Sequence, residues 1–165
     1  NEKGYLVKVL NRQHYYSMGA LLFAFVNFWA YIAFSQFMLI WYANLPEETF
    51  WFINRWAGSW SIISIGLILV HFVVPYALLL SQPSKMNPGR LKFTAVWILC
   101  AHFYDLYWMV MPSIDKNGLS FSWMDLAFPI FCVGLIIVVF NLRAKNLNLV
   151  PIGDPKLQRG IDFHL

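Results

Sequence analysis

Long apolar stretches constrain this chain more than any other feature. They run from about Ser17 to Ala43, Ser59 to Leu80, Leu91 to Met111 and Ser122 to Leu142. A helix needs about 20 apolar residues to cross the hydrocarbon core of a bilayer. In lipid every backbone amide must find its partner internally, so such stretches become helices. Composition agrees: 59% of the residues are hydrophobic and 12% charged, with a mean hydropathy of +0.56. Soluble domains run near about 45–50% and about 25%. The expected fold class is an all-α integral membrane protein of four transmembrane helices forming a bundle. Residues 1–16 and 143–165 flank the 17–142 bundle as polar segments.

Charge sets the topology. Lys3, Lys8, Arg12, Lys85, Arg90, Lys92, Arg143, Lys145, Lys156 and Arg159 fall on one side of the four crossings, against Arg55 and Lys116 on the other. Positive residues stay inside, which predicts that both termini are cytoplasmic. No basic run interleaved with aromatics points to nucleic acid. In the first outer loop, Asn44-Leu45-Pro46-Glu47 reads as a helix start, with Asn44 as the cap and Pro46 in the first turn. Phe50, Trp51, Ile53 and Trp56 then suggest a short interfacial helix, anchored in the outer membrane surface or against a partner subunit. Pro83 and Pro112 are expected to stop the second and third spans, and Pro129 to kink the fourth. The tail from Asn146 to Leu165 is expected to be irregular.

Cys100 and Cys132 lie within apolar spans without a CxxC pattern and read as small hydrophobes. Asp125, at the outer end of the fourth span, reads as a helix-start charge. The mid-depth polar groups are the informative ones. At about 1.5 Å of rise per residue, His71 lies about 14 Å, Asn27 about 15 Å and His102 about 16 Å from the inner surface. Asp105 follows His102 at i+3 and shares its helix face. A carboxyl at such depth costs about 2.5–3.5 kcal/mol on insertion scales, so it is retained for a reason. Histidine changes charge near neutral pH, and a His–Asp ladder makes a plausible proton wire. His71, His102, Asp105, Asn27 and Gln36 are the expected relay, with Ser35, Tyr104 and Tyr107 as outward extensions. Two alternatives stand beside it. The histidines are axial ligands of a b-type haem, or all these groups merely fix helix register.

The run Phe34-Ser35-Gln36-Phe37-Met38-Leu39-Ile40-Trp41-Tyr42-Ala43-Asn44-Leu45-Pro46-Glu47-Glu48-Thr49 closely resembles a segment of bacterial alternative complex III, a quinol:electron-carrier oxidoreductase. The match is to the second of its two polysulfide-reductase-like membrane subunits. Leu149-Val150-Pro151-Ile152-Gly153-Asp154-Pro155-Lys156-Leu157 is similar to that family's tail. Members are about twice as long, so this chain, which begins at Asn1, is expected to be the C-terminal portion of a longer subunit. The resemblance implies a bacterial inner-membrane, multi-pass subunit that is not catalytic alone. The partners it implies are a sister quinol-binding subunit, a multihaem cytochrome, an iron–sulfur subunit, lipids and, in some assemblies, a terminal oxidase. Haems c and iron–sulfur clusters are then expected in the partner subunits and none in this chain, with a second quinone site left open here.

Overall fold

The computed structural model describes residues 10–115, 118, 122–145, 150 and 153–162, and these are helical with short connections. They fall into two compact units, one running from residue 10 to residue 118 and one from residue 122 to residue 162. Four helices are long and apolar enough to cross a membrane. Three of them belong to the first unit and the fourth to the second. The expected four-helix bundle is therefore described as a three-span core and a separate unit carrying the last span.

In the first unit, α1 spans Arg12–Ala43, α2 Pro46–Trp56, α3 Trp60–Leu79, α4 Gln82–Met86 and α5 Pro88–Ile114. The Asn11 side chain starts α1 by accepting from the backbone N–H of Gln13 and of His14, both at 3.0 Å. His14 Nδ1 accepts in return from the Asn11 N–H, completing a capping box. Polar residues thus carry the helix five positions further back than hydropathy alone reaches. Asn44 does not cap the next helix, as its sequence context suggested. It sits at φ 48° and closes α1, its N–H bonded to the Ile40 carbonyl. Asparagine tolerates the left-handed region better than most residues, so it ends a helix as readily as it begins one. Leu45 takes the cap position of α2 without a side-chain bond, and Pro46 opens that helix.

The prolines act at more than one place. The second span ends at Leu79, before Pro83, and Pro83 also lies in the first turn of α4, where its missing N–H costs nothing. Pro112 lies inside α5, which continues to Ile114 and closes through the Asp115 N–H on the Met111 carbonyl. Asn87 caps α5 by accepting from the N–H groups of Gly89 and Arg90. Close packing of α1 against α4 depends on Gly19: a Cβ there would meet Lys85 Cβ at 2.8 Å and Lys85 backbone at 3.1 Å.

The middle of α3 is a π-helical turn, Ile68–Val73, flanked by α-helix on both sides. The Val74 N–H reaches back five residues to the Leu69 carbonyl. In the same register the next donor would be Pro75, which has none, and its acceptor would be Val70. The Trp97 indole fills that place, donating to the Val70 carbonyl at 2.9 Å. A wide turn, a proline and a tryptophan from another helix form one local solution.

Arg55 departs furthest from the solvated position its loop suggests. Counted in the sequence as an outer-loop charge, it is only 1% exposed. Its guanidinium donates to the carbonyls of Trp51 and Met109 and lies 3.5 Å from the Trp51 ring centroid. Burial pushes its pKa down to about 10, which leaves it charged at neutral pH. The aromatic face of α2 is divided: Trp51 meets Trp108 edge-on at 5.2 Å and Phe52 meets Phe37 at 5.4 Å, while Phe50, Ile53 and Trp56 remain exposed.

In the second unit, α6 spans Trp123–Ala144 and α7 Leu157–Ile161. Ser122 and Asp125 form a capping box at the start of α6, so Asp125 has the helix-start role its position suggested. Pro129 lies inside α6. The tail is not wholly irregular: Asp154 accepts from the Lys156 N–H and the short helix α7 follows. Residues 146–149, 151–152 and 163–165 of that tail lie outside the described residues.

Candidate functional site

Two of the three membrane-length helices in the first unit supply a polar cluster. His71 projects from the π turn of α3, and His102 and Asp105 project from one face of α5. One ligating atom from each lies within 4.8 Å of the others. The two imidazole centroids are 6.2 Å apart with planes at 61°. His71 and Asp105 are buried, at 4% and 6% exposure, while His102 is exposed on the outside of the unit.

Trp29, on α1, ties the cluster together. Its indole N–H donates to Asp105 Oδ2 at 3.0 Å, and its ring stacks on His71 at 3.9 Å between centroids. One tryptophan therefore fixes both the carboxylate and the imidazole. Its sequence position held a signal: tryptophans of membrane helices concentrate at the interfaces, and this one lies at mid-span, two residues beyond Asn27.

His71 carries an anomaly. Both of its ring nitrogens are buried, and neither has a hydrogen-bond partner among the described residues. Leaving a buried donor or acceptor unmet costs about 1–3 kcal/mol.

The other expected relay residues divide. Gln36 joins Asp105 and Trp29 in the wall of a cavity of about 820 Å³, which is otherwise mostly apolar and aromatic, with Trp51, Phe52 and Trp108. Asn27 does not join. Its side-chain amide donates to the Phe23 carbonyl at 2.7 Å on its own helix. The Tyr104 hydroxyl is committed to the Ile63 carbonyl at 2.8 Å, so it does not extend the cluster outward. Tyr107 lies against Trp60, their ring centroids 6.2 Å apart.

At the α2 end of the cavity lies a second network that the sequence pattern does not announce. Trp108 donates to the Ser64 hydroxyl at 2.7 Å, and that hydroxyl lies within hydrogen-bond distance of the Arg55 and Trp60 carbonyls. Arg55 thus lies in this network, one helical turn from Asp105 along α5 through its bond to Met109. The chain can accordingly offer a buried imidazole, a second accessible imidazole and a carboxylate at one point, beside a cavity with a cation beyond it. Cys100 and Cys132 are free thiols.

No protein family matches this chain, and no curated protein matches it either.

Proposed function

We propose that this chain is a membrane subunit of a respiratory quinol:electron-acceptor oxidoreductase of the alternative complex III kind. It serves as scaffold for its partners and carries part of a proton path. The expected setting is a bacterial plasma membrane, with both termini cytoplasmic and α2 at the outer interface. The partners are a sister quinol-binding subunit, a multihaem cytochrome and an iron–sulfur subunit, which hold the redox groups.

One observation carries the proton role: His71, His102 and Asp105 meet within 4.8 Å at mid-span. Groups of these types exchange protons when they come within hydrogen-bond reach, directly or through one water. Asp105 and Gln36 border the cavity, which gives the cluster a side open to water or ligand. The sequence run from Trp41 to Glu48 supports the respiratory assignment. A purely structural reading draws on the Trp29–Asp105 hydrogen bond, which would lock α1 to α5 without any chemistry.

Replacing Asp105 with Asn in the assembled complex separates the two. The amide keeps the acceptor for Trp29 but cannot exchange a proton. Loss of proton release with the complex still assembled supports the relay, and unchanged quinol turnover and proton release overturn it.

A further inference from the structure

We propose that His71, His102 and Asp105 form a binding site for a borderline divalent transition-metal ion, of which zinc is the natural probe. Two imidazoles and one carboxylate are the donor set that such ions favour, and they disfavour magnesium and calcium, which seek oxygen. Three protein donors with a further position open describe a non-structural zinc site.

Geometry makes the site reachable. In a tetrahedral zinc centre with bonds near about 2.0 Å, neighbouring donor atoms lie about 3.3 Å apart. The three donors here already fall within 4.8 Å of one another. His102 is exposed, so its imidazole has room to swing inward over the remaining distance. His71 needs no search for its ligand: both its nitrogens are buried and unpartnered, in the cluster itself. A metal ion satisfies a lone pair there that no protein donor meets.

The support around the donors fits as well. Metal ligands are usually oriented by a further hydrogen bond, and removing that bond typically lowers affinity about 10–100-fold. Trp29 supplies it here, holding Asp105 Oδ2, while its ring fixes the plane of His71. Trp29 is thus a positioning residue for the site. The cavity beside Asp105 gives a way in. On the proton reading above, a bound ion blocks transfer, because coordination and protonation use the same lone pairs.

The test uses the full chain in detergent micelles, with Cys100→Ser and Cys132→Ser to remove competing thiols. Zinc is titrated by equilibrium dialysis, and the bound ion is examined by X-ray absorption. The expected result is one zinc per chain, with imidazole scattering from two histidines. His102→Ala, an exposed position that the fold does not need, lowers the affinity by at least about 10-fold, and Trp29→Phe does so by about 10–100-fold. Less than stoichiometric zinc, or full affinity in His102→Ala, overturns the site. Binding is read without turnover, so its failure leaves the respiratory reading to the Asp105→Asn assay.

Discussion

Trp29 and Asp105, 76 positions apart in the chain, are joined by a 3.0 Å hydrogen bond from indole to carboxylate. The same indole covers one face of His71. A polar contact between helices is worth only about 1–2 kcal/mol in a bilayer, yet this one sets the positions of two titratable groups at once.

The first prediction isolates that bond. Trp29→Phe retains an aromatic ring for His71 and removes the only donor of the indole. Asp105 is then a buried acceptor without its partner, and the loss is expected at about 1–3 kcal/mol. Thermal unfolding in a fixed detergent reads it directly. Trp29→His, which restores a ring N–H, is expected to recover part of the loss; recovery absent, the hydrogen bond is not what stabilises this contact.

A second prediction concerns Arg55. Arg55→Met keeps much of the buried volume but abandons the carbonyls of Trp51 and Met109 and the stack on Trp51. Hydrogen bonds to a charged group are worth about 1.5–3 kcal/mol each, so a loss in that range or above is expected. Arg55→Lys keeps the charge without the planar fork and is expected to recover little, because one ammonium cannot span both carbonyls and stack. A surface arginine, by contrast, would tolerate all of these changes within about 0.5 kcal/mol.

The two tight glycines are expected to differ. At Gly19 an added Cβ meets Lys85 Cβ at 2.8 Å and the Lys85 backbone at 3.1 Å, so α1 and α4 must separate. At Gly66 it crowds the tip of the Tyr104 side chain, its hydroxyl at 2.9 Å, which can turn aside at the expense of its bond to Ile63. Over-packing that moves backbone costs about 1–3 kcal/mol. Gly19→Ala is therefore expected at the upper end of that range and Gly66→Ala nearer the value of one lost hydrogen bond. Paired melting curves decide the order.

These contacts mark the boundary of what the residues alone disclose. The membrane-length helices are legible because about 20 apolar residues have few other fates. His102 with Asp105 is legible because spacing of three places two side chains on one helix face. Their meeting with His71 and Trp29 is a matter of helix rotation and mutual depth, and hydropathy carries neither. Helix ends were harder still. Asn44 and Pro83 each suit two opposite positions at a helix terminus, and only the path of the neighbouring chain chooses between them. Arg55 differs for a related reason: charge in a loop is ordinarily solvated, but here aromatic residues of two helices and the carbonyls of Trp51 and Met109 enclose it.

The last prediction concerns the π turn that aims His71. Pro75 removes the donor that a five-residue register would offer to Val70, and Trp97 takes its place. Pro75→Ala returns that donor. The new N–H competes with Trp97 for the Val70 carbonyl, or lets the segment wind into an α register by pairing one residue further on. In either case the Trp97 indole loses its partner, and its N–H exchanges faster with solvent deuterium. Winding Ile68–Val73 into α-helix also rotates His71 away from Trp29, because a turn of 3.6 residues replaces a wider one. Tryptophan fluorescence quenched by the stacked imidazole should then recover. Unchanged indole exchange together with unchanged fluorescence would show that the wide turn is held by packing around His71 itself, with Pro75 only permitting it.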